Sequence, residues 1–114
     1  MDVVTAPRQF EIWLVGLDPT VGAEIRKTRP AIIVSPDTMN RNLLTSIIVP
    51  LTTTLRRYPN RVGLTFQGTE GQAALDQIRA VDRKRLVRKL GECEPATARV
   101  VSETLCRMFT YRDA

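Results

Sequence analysis

Turn-forming residues cut this chain into short apolar runs between Phe10 and Leu90. Phe10–Leu17 stops at Asp18-Pro19-Thr20, with Gly22 beyond. Ala31–Val34 ends at Ser35-Pro36, and Ser46–Leu51 leads into Thr52-Thr53-Thr54 and then Tyr58-Pro59-Asn60. Runs this short, bounded by Pro, Gly, Asn and Asp, read as strands rather than helices. In the first, Glu11, Trp13 and Val15 fall on one side, with Ile12 and Leu14 on the other. Arg61–Phe66 reads as a fourth strand and Gly68–Gly71 as a turn. Gln72–Leu75 and Gln77–Val81 read as one strand or two, with a bend near Asp76. Asp82 is expected to cap a short helical turn over Arg83–Leu86, and Leu86–Leu90 returns to strand. Between strands, Asp37–Leu44 holds a helical turn. Gly22–Arg29 reads as a polar loop whose last residue is extended, because Pro30 disfavours helix before it.

The final segment has a different period. Glu94-Pro95 resembles a helix start with Pro at the first helical position. Ala98, Val101, Leu105 and Met108 then recur at spacings of three, four and three, with Arg99, Ser102, Glu103 and Arg107 between them. This predicts an amphipathic helix from about Pro95 to Phe109. Five to seven strands and one C-terminal helix make the fold mainly β, a small, strongly bent antiparallel sheet or partial barrel. With 114 residues, the chain is expected to form a single domain spanning 1–114.

There is no histidine. That excludes Ser-His-Asp and Cys-His hydrolase chemistry within the chain, a two-His RNA-cleaving mechanism, and every His-bearing metal site. Acid–base work falls to carboxylates, Arg, Tyr, Lys, Cys or Thr. Basic residues number 17 against 12 acidic, a net charge of +5, and 14 of the 17 are Arg. Arg favours planar, two-pronged contact with phosphate or carboxylate, so a nucleic acid or an acidic protein suits this charge; so does a plain solvated surface. Cys93 and Cys106 lack CxxC spacing and are expected to be reduced, small buried hydrophobes in a cytoplasmic protein. Met1–Gln9 has no apolar run, so no secretion signal is expected, and no run of apolar residues is long enough to span a membrane. No Gly-rich phosphate loop or dense carboxylate set is present, so neither a cofactor nor a metal is expected.

Three clusters carry chemistry. Glu24, Arg26, Lys27, Thr28 and Arg29 form a cationic loop suited to gripping phosphate, a composition that also describes a solvated loop. Pro50-Leu51-Thr52-Thr53-Thr54 places hydroxyls at a strand end, although Thr is common in strands for its own sake. Asp76-Gln77-Ile78-Arg79 and Asp82-Arg83-Lys84-Arg85 combine carboxylates with cations. Asp76 reads as a paired carboxylate, a turn residue or a base. Among the aromatics, Trp13 reads as core, and Tyr58, in a basic loop, as the better base-stacking residue.

Read in order, these segments resemble the MazF/PemK family of toxin endoribonucleases. The matching text is Glu11-Ile-Trp-Leu-Val, Leu17-Asp-Pro-Thr, Gly22-Ala-Glu24, Lys27-Thr-Arg29-Pro30 and Ile33-Val-Ser-Pro36. It continues through Val49-Pro-Leu-Thr52-Thr53, Tyr58-Pro59, Arg61-Val62, Gly71, Asp76-Gln77-Ile78-Arg79, Val81-Asp82 and Arg85-Leu86. The resemblance spans about residues 9 to 109. It implies an SH3-like barrel with a C-terminal helix, and a homodimer that cuts single-stranded RNA without metal. It also implies a cognate antitoxin whose acidic, extended tail occupies the RNA groove. By the same resemblance, Arg29 and Thr52 match the family's catalytic Arg and Ser/Thr. Glu24 matches an acidic residue linked to activity, and Asp76 the base assigned in the Kid branch. That branch's Arg two positions before the Asp is Ala74 here, and its His before the loop Glu is Ala23. Phe10 stands where Gly is usual and Ile25 where Gln is usual.

The expected chemistry is attack of a ribose 2′-OH on its own phosphate, leaving a 2′,3′-cyclic phosphate and a 5′-OH. Arg29 is expected to stabilise the phosphorane and Thr52 to bond a nonbridging oxygen. Glu24 is the first candidate base and Asp76 the second. Arg26, Lys27, Thr28, Thr53, Arg56, Arg57, Tyr58, Gln77 and Arg79 are the candidate RNA-binding residues. The alternatives are a CcdB-like, non-enzymatic toxin that binds gyrase on this same fold, and an inactive RNA-binding relative.

Overall fold

The computed structural model describes residues 6–113; most of the Met1–Gln9 stretch read above lies outside the described residues. The strands are β1 (Glu11–Gly16), β2 (Thr28–Ile33), β3 (Thr45–Thr52), β4 (Arg61–Phe66), β5 (Thr69–Ala74), β6 (Arg79–Asp82) and β7 (Leu86–Glu92). Helix α1 (Asp37–Asn42) joins β2 to β3, and α2 (Pro95–Phe109) closes the chain over the range its periodicity predicts. One-turn 3-10 segments at Leu75–Gln77 and Arg83–Arg85 flank β6. In the second, the Asp82 carboxylate accepts from the Lys84 N–H at 2.8 Å, as its sequence suggests.

All pairing is antiparallel, in the order β4-β5-β3-β2-β1-β7, with β6 also on β3. β3 is long because it serves two neighbours along one edge. Thr45–Ile48 pairs with β6, and Leu51–Thr52 pairs with β5. Val49 and Pro50 fall between, where the Leu75–Gln77 turn carries the chain from β5 to β6. Pro50 has no N–H to offer a ladder, and it stands in that gap. The β4–β5 hairpin turns at Gln67-Gly68, with φ of +52° and +77°, so Thr69 already pairs with Phe66. A two-residue turn needing positive φ twice explains why the turn falls earlier than Gly68–Gly71, drawing Thr69–Gly71 into strand.

The sheet curls so that both faces are packed. Ile12, Ile32, Val49 and Leu51 join Val62, Ala73, Leu75 and Val101 of α2 on one side. Val15, Leu17, Ala31, Ile33, Ile48 and Val81 form a second core on the other, beneath Trp13, Ile25 and Leu86. The register explains the split: Ile12 opposes Ile32 and Ile32 opposes Val49, while Ile33 opposes Ile48. Each such side chain contributes about 1.5–3 kcal/mol when fully buried. Phe10 has φ +66°, a left-handed conformation that a Gly would adopt without the steric cost a side chain carries.

A polar knot holds α1. Buried Asn40 accepts from the hydroxyls of Ser35 (2.5 Å) and Ser46 (3.0 Å) and donates to the Ser35 carbonyl (3.0 Å). Cys93 packs half-buried against the first core, and burial pushes its thiol up to about 11. Cys106 lies exposed on α2, correcting its reading as a buried hydrophobe: it falls on the helix's outer face. Both thiols are free.

Glu11, 8% exposed, is a buried carboxylate with a full set of partners. It accepts from the Arg8 N–H and the Trp13 indole N–H, both at 2.9 Å, and pairs with Lys89 at 3.1 Å. Burial alone would raise its pKa, but these partners outweigh it and hold the carboxyl below its ordinary value. A depressed folded pKa contributes stability above the unfolded value and loses it as pH falls through the folded one. Thermal unfolding measured from pH 6 down to about pH 3 should therefore show a falling midpoint, with a shallower fall in Glu11→Gln. Equal slopes would contradict this account.

Candidate active site

Two loops and one turn meet beside the C-terminal end of β3: the β1–β2 loop (17–27), the β3–β4 loop (53–60) and the turn Leu75–Gln77. Between them lies a cleft of about 610 Å³ whose lining includes Glu24, Arg26, Arg29, Thr52, Arg56 and Asp76. A further hollow of about 420 Å³ shares Glu24, Asp76 and Gln77 with it and reaches Pro50 and Arg79. Arg29 and Thr52 also border a smaller, largely apolar hollow of about 100 Å³, beside Pro30, Leu51, Leu64 and Phe66.

Strand register brings Arg29 and Thr52 together. The β2–β3 ladder ends with Ala31 opposite Pro50, and two residues beyond it on each strand Arg29 and Thr52 line the same cleft. Arg29 is half-buried, and its Nε donates to the Arg26 carbonyl at 3.0 Å, which aims the guanidinium without neutralising it. Thr52 is 8% exposed, and its hydroxyl accepts from the Thr54 N–H at 3.1 Å. An accepting hydroxyl keeps its own proton to donate.

Glu24 belongs to a local turn: its carboxylate accepts from the Val21 N–H at 2.7 Å, while its own N–H donates to the Val21 carbonyl at 3.2 Å. The loop carrying it is closed at its base, where the Leu17 N–H donates to the Lys27 carbonyl at 2.9 Å. Lys27 takes φ +69°, turning the chain into β2. Asp76 is held differently. Arg61 Nε and Nη2 donate to its two carboxylate oxygens at 2.6 and 3.1 Å. The Arg61 guanidinium keeps this carboxyl below its ordinary value despite partial burial.

The expected RNA-binding residues divide by their surroundings. Arg26, Arg56 and Tyr58 line the cleft, and Thr53 borders the apolar hollow. Lys27, Thr28 and Arg57 are exposed and line none of the three spaces. Gln77 uses both ends of its amide on the β1–β2 loop, accepting from the Ile25 N–H at 3.0 Å and donating to the Ala23 carbonyl at 3.3 Å. Arg79 Nη1 donates to the Leu17 carbonyl at 3.1 Å. These two residues hold the β1–β2 loop; Gln77 lines the cleft and Arg79 the further hollow. Arg61 and Gln72 were not singled out by sequence reading, because only the hairpin register places them beside Asp76 and Arg56. The available signal was the opposite charges of Arg61, at the start of an expected strand, and Asp76, at an expected bend. Among the described residues, no three Asp, Glu or Cys side chains converge to hold a metal ion.

The model of the PemK-like, MazF-like toxins of type II toxin–antitoxin systems matches residues 8–109. The chain is 39% identical over 105 residues to an endoribonuclease PemK of Escherichia coli, covering 88% of this chain and 77% of that protein. It is 34% identical over 110 residues to endoribonuclease MazF9 of Mycobacterium tuberculosis, covering 86% and 92%. A crystal structure of MazF from Deinococcus radiodurans superposes with a TM-score of 0.80 at 26% identity, over 90% of this chain and 96% of that one. A mycobacterial endoribonuclease in complex with its cognate antitoxin gives a TM-score of 0.77 at 25% identity, over 94% and 100%. The fold is accordingly the curled, mainly β half-barrel with a C-terminal helix that these toxins share.

Proposed function

We propose, from the premise that this chain belongs to the PemK-like, MazF-like toxin family of type II toxin–antitoxin systems, that it is an endoribonuclease cutting single-stranded RNA between its β1–β2 and β3–β4 loops. The observation that carries this reading is the meeting of Arg29 and Thr52 on one wall of a cationic cleft that also holds Glu24. The ribose 2′-oxygen attacks the adjacent phosphorus as its proton passes to a carboxylate. The P–O5′ bond breaks, and the 5′-oxygen takes a proton from Arg29 or from water in the open cleft, the guanidinium being reprotonated from solvent. Arg29 offsets the charge that builds on the phosphorane, and Thr52 donates its free hydroxyl proton to a nonbridging oxygen.

Of the two carboxylates, Glu24 is the better base. Asp76 has both oxygens on Arg61 and a lowered pKa, which weakens its hold on a proton. The protein works as a homodimer in the cytoplasm and is neutralised by a cognate antitoxin. An acidic, extended antitoxin segment suits the same cations that bind RNA.

The test is cleavage of a varied RNA pool by purified protein in excess EDTA, with both product ends identified. Cyclic-phosphate and 5′-OH ends are expected, with Thr52→Ala slower by about tenfold or more through loss of one oxyanion donor. Intact RNA after incubation with folded, antitoxin-free protein would overturn the proposal in favour of a binding-only toxin.

A further inference from the structure

We propose that the Leu75–Gln77 turn is a two-armed bracket that sets the width of the cleft, with Arg61, Asp76 and Gln77 as positioning residues for the two loops that face RNA. The proposal rests on the endoribonuclease reading above. One arm is the Gln77 amide, which holds the β1–β2 loop through the Ile25 N–H and the Ala23 carbonyl. The other is Asp76, whose carboxylate takes both prongs of Arg61. Arg61 opens β4 directly after the β3–β4 loop, and the Tyr58 ring of that loop lies 4.8 Å from its guanidinium carbon. Arg61 Nη1 also reaches the Gln72 Oε1 at 3.4 Å. Gln72 in turn receives the Arg56 N–H and donates to the Arg56 carbonyl, both at 3.0 Å. Adjacent residues of a single short turn thus anchor the opposite walls of the cleft.

The register makes this arrangement available. Arg61 opposes Ala74 in the β4–β5 ladder. A methyl group there leaves the guanidinium room to run along β5 to Asp76, two residues on. The Arg61 side chain is only 6% exposed and its charge is matched by Asp76. It is therefore poorly placed to grip phosphate and well placed to hold a loop. Two-pronged geometry fixes both distance and plane, which a Lys cannot do. Asp76 accordingly acts through Arg61 and not on the reacting atoms.

The test compares Arg61→Ala, Asp76→Asn, the double variant, Arg61→Lys and Gln77→Ala with wild type. The readouts are single-turnover kcat and KM, the pH profile of kcat/KM, and the set of sites cut in a varied RNA pool, with thermal unfolding as the check of fold. Each single variant is expected to lower kcat/KM at the preferred site by about 10- to 100-fold through misplaced loops, and to broaden the choice of site. The double variant should be no worse than either of its components, as for residues acting as one unit. The acid limb of the pH profile should stay where it is. Arg61→Lys keeps charge and bulk, so it remains informative if the Ala variant fails to fold; it should shift in the same direction by less. Three results would overturn the bracket: an acid limb lost in Asp76→Asn alone, additive losses in the double variant, or folded variants with the wild-type set of cut sites. Wild-type protein that cleaves nothing would overturn the endoribonuclease reading first, and an active wild type beside unchanged variants overturns only the bracket.

Discussion

Arg29→Ala is expected to lower kcat/KM for RNA cleavage by about 10²- to 10³-fold, equivalent to about 2.7–4 kcal/mol of transition-state stabilisation. The attacked phosphate gains charge as the fifth oxygen bonds to phosphorus. A guanidinium already held in place meets that charge without reorganisation. Here the Arg26 carbonyl fixes Nε, and the side chain lines a cleft shared with Thr52. The side chain belongs to neither core and takes part in no ion pair among the described residues. Its loss should leave the thermal midpoint nearly unchanged, which separates catalysis from folding. Arg29→Lys should recover part of the rate, since a point charge survives and the fork does not. Full activity in Arg29→Ala would remove this residue from the reaction.

Gly71→Val is expected to damage both stability and turnover. A Cβ at Gly71 would sit 2.7 Å from the Thr52 carbonyl oxygen, 3.4 Å from its carbon and 3.8 Å from the Thr53 Cα. All three atoms are backbone, so no side chain can swing aside; β5 and β3 must part. Overpacking of this kind costs about 1–3 kcal/mol, which lowers the midpoint of a domain this size by roughly 5–20 °C. The displaced residue is Thr52, which pairs with Gln72 across the same ladder. Moving its hydroxyl by about 1 Å is enough for a 10²-fold loss of rate. Gly63→Val is the control, because a Cβ there meets nothing within 4 Å. Cleavage assays and thermal melts of the two variants should diverge sharply. Equal behaviour would mean that the close approach of β5 to β3 does not constrain the site.

Much of the architecture was legible in the chain. Pro95 and the Ala98, Val101, Leu105, Met108 spacing located α2, because a helix advertises its buried face locally. Arg61–Phe66 was legible as β4 because turn residues, Tyr58-Pro59-Asn60 before it and Gly68 after it, bound the run. The hairpin turn was misplaced because Gln67 carries no mark of a left-handed residue; pairing of Thr69 with Phe66 imposes it. Asp76 illustrates the limit at the site. Sequence left it open as a paired carboxylate, a turn residue or a base. The first two readings hold together: it sits in a 3-10 turn and is paired to Arg61.

The sequence by itself determined that this protein is a short-stranded, mainly β fold with one C-terminal helix, that its chemistry proceeds without histidine, and which family it resembles. These are properties of local pattern, composition and collinear order, and they need no knowledge of what lies across a strand. Tertiary structure alone decided that Arg29 and Thr52 line one cleft, that Arg61 supplies the guanidinium at Asp76, and that Gln77 and Arg79 hold the β1–β2 loop. The first two depend on antiparallel register and the third on a turn and a strand reaching back to a distant loop, contacts between residues far apart in the chain. A shift of one residue in that register would turn the strand residues among them, Arg29, Thr52 and Arg61, to the opposite face.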